Sequence, residues 1–576
     1  MSDAVQSLAE KFRTCSITGI RVNRSAELLI KVNAVVAIVC LLIGVLAAIG
    51  LLLTRWQAVH YLSVIMYYRF LTAHGLNMLI FFIIFFEMAV LYFAGPVMLN
   101  SRVPAPWAGW LAFALMVVGA VMVNYMVFTG QADVLFTSYP PLKAAHWYYL
   151  GIILFAVGAL IVCALFFASL HVAKKEKTYE GSVPLVTFGG LTAAIIAVIT
   201  LLHGALVYIP TWLWSLDLMH MDPQIYRLIW WGLGHSSQQI NVAAMVAIWY
   251  LLAGLTVGGV VLNEKISRTA FVLYILFISM ASAHHLLVDP GMGSAWKIWN
   301  TSYAMYLAVL ASMIHGFTVP AGIELGQRLR GYTNGMFEWL RKAPWGDPGF
   351  SGMVLSVIIF GFMGGITGVT LGTEQINIMA HNTLRIPGHF HVTVVGGTAL
   401  AFMAVTYYLI PLIFQKRVAL WGLVKYQPYL FAGGISLMAI AMTFQGIFGV
   451  PRRHWDINAA DSPFPVEFHP AVNVLQAVMA IAGLLAAVAV LIFIVSAVLS
   501  VFFGKPLTKE AIEEKASGIP QGVINLPNQT HSGSMVGRIH KTGTPGTVVL
   551  VFIFLACFVV YYFVNWKLLT FLWKIG

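Results

Sequence analysis

The chain has 576 residues, 60% hydrophobic and 9% charged, with mean hydropathy +0.85 and a formal net charge of +12. Soluble domains carry about 25% charged residues, so a water-soluble globule, a disordered chain and a disulfide scaffold are excluded. The chain reads as an integral membrane protein, with its positive charge in loops facing the anionic lipid bilayer rather than nucleic acid.

Residues 1–26 are polar and hold no short apolar core ending in a small-residue cleavage site. They are expected to form a cytoplasmic segment without a cleaved signal peptide. Apolar runs follow near 27–53, 64–99, 107–129, 146–170, 184–209, 224–258, 269–288, 299–319, 350–373, 388–414, 426–449, 471–503 and 547–571. Each is long enough to span a bilayer, and a lipid-exposed strand edge would leave backbone groups unpaired. The expected fold is therefore an all-α polytopic bundle of about thirteen helices. It divides into a twelve-helix core (27–503), a polar cytoplasmic loop (504–546) containing KEAIEEK, and a last helix within 547–576. With the N-terminus inside, the inner segments receive more than twice as many Lys and Arg as the outer ones. This predicts N-terminus in, C-terminus out, in the cell's inner (cytoplasmic) membrane. The four cysteines, Cys15, Cys40, Cys163 and Cys557, show no paired spacing, and so give neither a disulfide framework nor a thiolate metal site.

Six of the 17 histidines form a pattern on this topology. His74 lies in the second span and His235 in the sixth. The doublet His284–His285 ends the seventh, and His389 and His391 open the tenth. All six approach one layer in the outer half of the membrane, where an ionisable side chain is costly without a partner. His389 and His391 are about 200° apart on a helix and face opposite sides. One side could pair His391 with His74 as two axial haem ligands; the other would leave His389 as a single ligand with a position open. His235, His284 and His285 supply three imidazoles for a copper or iron. The alternative is that each histidine only satisfies a neighbouring carbonyl. Arg452 and Arg453, in GVPRRHWD at the outer end of the eleventh span, run against the positive-inside trend. Haem propionates would suit them; a lipid phosphate or the Asp456 carboxylate is the alternative.

NTLRIPGHFHV (382–392), GVPRR (449–453), the histidine doublet and AHGLNMLIFF around His74 resemble subunit I of the haem–copper oxidase superfamily, specifically its B-type oxygen reductases. The resemblance implies His74 and His391 as ligands of a low-spin haem and His389 as the ligand of a high-spin haem. His235, His284 and His285 become ligands of the second active-site metal. Arg452, Arg453 and His381 would lie at the propionates. Asn377 stands where that pattern has an acidic residue. The implied cofactors are two haems, of type a, b or o, and one non-haem metal.

The sixth span departs from the pattern. B-type oxygen reductases carry a tyrosine four residues after the histidine, covalently joined to a metal-ligating imidazole; here GHSSQQIN puts Gln239 there. The other family location for a phenol, six residues before the doublet, is Ile278. Splitting dioxygen takes four electrons, and the phenol supplies one electron and one proton; an amide supplies neither. Coupling two NO molecules to N2O and water needs two electrons and two protons, and nitric oxide reductases of the superfamily lack the tyrosine. The expected function is therefore a respiratory-chain nitric oxide reductase catalytic subunit acting in denitrification, with His235, His284, His285 and Gln239 at the active site. Gln239 could donate to a bound nitrosyl oxygen, ligate weakly, or simply satisfy a backbone group. The alternative is an oxygen reductase that works without the usual tyrosine; a transporter with histidines along a proton path is the competing class. Three neutral nitrogen ligands without a carboxylate favour copper over iron.

Tyr250, Ser312 and Thr318 lie toward the inside from the metals and could carry protons, although such hydroxyls often bond their own helix. Glu87, deep in the second span, is a further candidate proton carrier. The sequence has no CxxCH and no cysteine-rich copper segment. Electrons are therefore expected from a partner subunit with a copper or haem domain, or from quinol.

Overall fold

The computed structural model describes residues 11–15, 19–278, 281–525 and 542–572. Two short antiparallel strands, β1 (Phe12–Thr14) and β2 (Arg21–Asn23), lead into the first helix. The Asn23 side chain accepts from the Ala26 amide and caps α1 (Arg24–Arg55). The apolar runs then form α2 (Val64–Val97), α3 (Pro106–Phe128), α4 (His146–Glu176), α5 (Leu185–Ser215) and α6 (Pro223–Val257). The seventh run is broken: α7 (Glu264–Leu273) passes into a π-helical turn, Tyr274–Ile278, and a 3-10 turn, Ala281–Leu286, follows. Next come α8 (Ser294–Leu329), α9 (Pro348–Leu371), α10 (Arg385–Phe414), α11 (Gln427–Ile447), α12 (Ala471–Phe503) and α13 (Pro545–Lys567). Among the described residues, twelve helices are long and apolar enough to cross a membrane; α7, in the place of the seventh expected span, is not one of them. The polar stretch before α13 holds two short helical pieces, Lys509–Glu513 and Gln521–Asn525. Its residues 526–541 and the first ten residues of the chain lie outside the described residues.

Burial sorts the helices by their distance from the centre. The most apolar window of α10 is 94% buried and that of α6 83%, against 6% for α13. The two helices at the middle of the bundle are thus the ones carrying His389, His391 and His235. Outward faces of α3 and α13 show Trp107, Val121 and Phe552 to the surroundings, as a lipid-facing surface requires. Between helices, small residues and amides replace the hydrophobic driving force that lipid removes. A Cβ on Gly119 of α3 would sit 2.4 Å from the Gly151 carbonyl of α4, so only glycine lets these backbones approach so closely. Asn77 on α2 and Asn124 on α3 exchange amide hydrogen bonds at 2.7 and 3.2 Å.

The helices that carry the paired histidines are not regular. A π-helical stretch, Leu76–Phe82, begins just after His74, and another, His391–Ala399, begins at His391. Such wide turns are commonest at functional sites, because they re-aim side chains that a 3.6-residue period would direct elsewhere.

The last helix is fastened by polar groups at both ends. Glu324 of α8 is fully buried and accepts from the Gly546 amide (3.1 Å), the Thr547 amide (2.7 Å) and the Thr547 hydroxyl (2.7 Å), while pairing with Arg328 at 2.8 Å. A carboxylate on these first amides satisfies the orphan donors of α13 and its positive dipole end. Near the other end, buried Arg385 donates to Asn565. Glu324→Ala is expected to destabilise the protein by about 3 kcal/mol, because it strands Arg328 and the helix-start amides. Glu374→Ala, which removes only the half-exposed pair with Lys297, should cost less than about 1 kcal/mol; unfolding midpoints of the two variants in detergent check the contrast.

Candidate metal centre

Two cavities lie side by side at the level of the histidines. The first, about 270 Å³, is lined by His74, His391, Arg452 and Arg453 among largely apolar side chains. The His74 and His391 rings face each other across it with centroids 6.4 Å apart and planes only 12° from parallel. Metal–imidazole bonds of about 2.0 Å on each side of one ion place the ring centres roughly 6 Å apart, so the spacing fits two axial ligands on one iron. Each ring is held from behind. His74 Nδ1 meets the Gly44 carbonyl of α1 at 3.0 Å, and His391 Nδ1 meets the Pro387 carbonyl at 2.7 Å. A carbonyl accepts only, so Nδ1 carries the proton in both, and Nε2 is left as the metal-binding nitrogen.

The second cavity, about 530 Å³, is lined by His389 and by His235, His284, His285 and Gln239. His389 Nδ1 lies 2.9 Å from the Thr367 hydroxyl of α9. The hydroxyl has one proton, and the Met363 and Gly364 carbonyls both lie within reach of it. It therefore accepts from His389, again leaving Nε2 for a metal. A Cβ on Gly368 would stand 3.0 Å from the His389 ring, so a glycine there lets the ring lie flat against α9.

His235, His284 and His285 offer ligand nitrogens that all fall within 4.8 Å of one another. His235 Nδ1 and His285 Nε2 are 3.1 Å apart, close to the edge of a tetrahedron of nitrogens around an ion with bonds of about 2.0 Å. The His285 ring stacks on Trp231 at 3.7 Å with planes 8° apart, and His284 crosses the His235 ring edge-on at 4.3 Å. The donor set is three imidazoles. The other ring nitrogen of His235, Nε2, lies 2.7 Å from the Gln239 amide nitrogen; with Nδ1 as a metal ligand, Nε2 carries the ring proton, and the amide must then turn its oxygen to accept from it. The amide four residues on thus stands against the ring nitrogen of His235 that does not face His285. No tyrosine appears among the described residues lining this cavity.

The arginine loop is built by pairing the segments before α10 and after α11. Leu384 donates to the Val450 carbonyl at 2.9 Å and Arg452 to the Asn382 carbonyl at 2.8 Å. Arg55 at the end of α1 donates to the His454 and Pro451 carbonyls at 2.6 and 3.0 Å. Arg453 is held at φ 71°, a left-handed conformation that costs a non-glycine residue energy, and its guanidinium lies 6.0 Å from the centre of the Phe136 ring. Arg452 donates to the Asn382 side chain at 3.0 Å. Burial and the adjacent Arg453 charge pull Arg452 down to about 9. Asp456 is not their counter-ion: its carboxylate accepts from the Asn458 and Ala460 amides at 2.9 and 2.7 Å. Two guanidinium groups that border the first cavity without a carboxylate partner among the described residues fit the anionic edge of a porphyrin. His381, also drawn down to about 4 by burial and by Arg452, stands beside this cluster. Asn377 donates to the Leu371 carbonyl at 2.7 Å, and its side-chain oxygen is buried without a partner.

Further along α6 from His235, the Tyr250 hydroxyl meets Ser267 of α7 (3.1 Å), Thr318 of α8 (2.6 Å) and His315 Nδ1 of α8 (3.0 Å). Ser312 is not part of this set; it bonds Tyr274 at 3.0 Å and borders the metal cavity. Sequence reasoning named Tyr250, Ser312 and Thr318 but missed His315, whose Nε2 is buried without a partner. The signal was available: Ser312, His315 and Thr318 recur every third residue on one face of α8.

Residues 29–485 match the family described as Cytochrome C and Quinol oxidase polypeptide I. Cytochrome c oxidase subunit 1 of Thermus thermophilus is 31% identical over 438 residues, covering 74% of this chain and 75% of that protein. Quinol oxidase subunit 1 of Bacillus spizizenii is 23% identical, over 67% of this chain and 59% of its own. A cryo-EM structure described as a heme-copper terminal oxidase dimer superposes with TM-score 0.78 and 25% identity, covering 92% of this chain and 91% of that one. With twelve membrane-length helices among the described residues, a layer of histidines, and sequence likeness across most of its length, the chain belongs to the subunit I family of the haem–copper oxidases, membrane oxidoreductases that bind haems and a further metal.

Proposed function

We propose that this chain is the catalytic subunit of a nitric oxide reductase built on the B-type oxidase scaffold: 2 NO + 2 e⁻ + 2 H⁺ → N2O + H2O. The observation that carries the reading is the amide of Gln239 on His235 Nε2, in a cavity without a lining tyrosine among the described residues. Glutamine has no accessible redox couple and no proton to release near neutral pH, so the protein itself lends the metals no extra electron for dioxygen. Oxygen reduction remains the second reading, favoured by the names of the relatives, which are cytochrome c and quinol oxidases.

In this proposal His74 and His391 would hold a low-spin haem, His389 would hold a high-spin haem, and His235, His284 and His285 would hold copper in preference to iron. The metals supply electrons and substrate coordination when bound. The chain does the rest. Gln239, with its oxygen turned to accept from His235 Nε2–H, would hold the His235 ring so that Nδ1 keeps its direction. The carbonyls of Gly44 and Pro387 and the Thr367 hydroxyl do the same for the haem-binding rings. Arg452, Arg453 and His381 would receive the propionates. Tyr250, Ser267, Thr318 and His315 form the hydroxyl–imidazole cluster that would pass protons outward from the inner side, toward Ser312 at the cavity wall. Electrons would come from a partner subunit with a copper or haem domain, or from quinol. The N-terminus is placed inside and the C-terminus outside the cytoplasmic membrane, with 27–503 as the catalytic core.

Three measurements test this. Purified complex given NO anaerobically with an artificial reductant should form one N2O per two NO, and should reduce O2 at least about tenfold more slowly; rapid O2 uptake with negligible N2O would falsify the assignment. His391→Ala should abolish the low-spin haem signal while leaving the high-spin one, and His389→Ala the reverse, in reduced-minus-oxidised optical spectra; simultaneous loss of both signals from either variant would mean that the two rings do not serve separate haems. Tyr250→Phe should slow turnover about tenfold or more with unchanged haem spectra; unaltered turnover and pH dependence would remove the proton route.

A further inference from the structure

The three rings placed to face haem iron are not backed alike. His74 Nδ1 donates to the peptide carbonyl of Gly44 at 3.0 Å, and His391 Nδ1 to that of Pro387 at 2.7 Å. His389 Nδ1 instead donates to a side chain, the Thr367 hydroxyl of α9, at 2.9 Å. Amide resonance puts extra negative charge on a peptide oxygen, so a carbonyl draws the ring proton more strongly than an alcohol oxygen does.

The backbone of α9 builds this contact. Thr367 follows the π-helical stretch Ile359–Gly365 by two residues. Its hydroxyl lies 2.9 Å from the Gly364 carbonyl and also reaches the Met363 carbonyl. The hydroxyl proton is therefore spent on the main chain, and a lone pair is left for the ring. A threonine can satisfy itself on its own helix alone; here the same oxygen also stands at bonding distance from an imidazole on α10. Gly368, one residue on, clears the way, since a Cβ there would stand 3.0 Å from the His389 ring. The Gly364 carbonyl also acts on this ring, but the group 2.9 Å from Nδ1 is the hydroxyl.

We propose that Thr367 is a positioning residue that tunes the high-spin haem through His389. An acceptor that pulls on Nδ1–H makes the ring more imidazolate-like, enriches Nε2 and stabilises the oxidised iron it binds. The hydroxyl pulls less than a carbonyl, so His389 is a weaker electron donor to iron than His74 or His391. The midpoint potential of the high-spin haem is thereby raised. This favours the passage of one electron from the iron between the two carbonyl-backed rings to the iron held by His389, a step that makes and breaks no bond. The inference rests on the haem sites proposed above, and it is the same whether NO or O2 is reduced.

The test is resonance Raman spectroscopy of the reduced holoenzyme, with spectroelectrochemical titration of both haems. A haem with one axial histidine should give an iron–histidine stretching band. Thr367→Val, which removes the acceptor at nearly constant size, should lower the frequency of that band and raise the high-spin midpoint potential, with the low-spin potential unchanged. Thr367→Ser should keep both at their original values. Thr367→Cys, whose sulfur is a poorer acceptor, should move both in the same direction as valine but less, and carries the test should the valine variant not assemble. A band and potential that ignore the loss of the hydroxyl would overturn the proposal. A band that rises while the potential falls would do so too, because the Gly364 carbonyl would then be the effective acceptor. Absence of the band from the unsubstituted protein would remove the His389 site itself, a failure distinct from a band that is present and insensitive to residue 367.

Discussion

Everything in this molecule turns on the direction of imidazole nitrogens. A histidine within a membrane span is stable only with partners for both nitrogens, and in three of the rings the inner partner is a fixed protein oxygen: the carbonyls of Gly44 and Pro387 and the hydroxyl of Thr367. Each such contact commits Nδ1 to carrying the proton and turns Nε2 toward a cavity. The backbone of α1, the first turn of α10 and one threonine on α9 therefore decide where metals can sit, before any metal arrives.

The bundle is arranged to bring those oxygens and rings to one level. α6 and α10 are the most deeply buried pair, and π-helical turns re-aim the side chains at and beyond His74 and His391. The loop after α11 is laced to the loop before α10 by main-chain bonds, so Arg452 and Arg453 stand over the same cavity that the His74 and His391 rings face across. Buried positive charge with no carboxylate of its own is expensive, and an anionic cofactor edge would relieve it. Structure, charge and ligand direction agree on one kind of occupant.

Much of this was legible in the sequence because the constraint is one-dimensional. Apolar runs fix the spans, and the period of the helix sends His389 and His391 to opposite sides, which is where the cavities place them. The broken seventh span was less legible. Its run is apolar enough to read as one helix, yet among the described residues the geometry is α, then π, then 3-10 on the way to His284 and His285. The role of Gln239 was also only half visible. Spacing shows that it replaces a tyrosine; it does not show that the amide meets Nε2 of His235 and so acts on the ligand ring. His315 shares the Ser312–Thr318 face of α8, a spacing of three that is legible in the sequence. Asp456, an apparent counter-ion for the arginines by sequence proximity, is consumed by its own turn.

In the proposed site, six imidazoles would seat two porphyrin irons and one further metal. The most direct measurement is the quantification of haem and non-haem metal per purified chain, with electron paramagnetic resonance of the oxidised protein. The account predicts two haems and one additional copper or iron per chain, one haem giving the low-spin signal of two axial imidazoles. A preparation that is active and fully folded but holds a single haem, or two haems without a third metal, would contradict it.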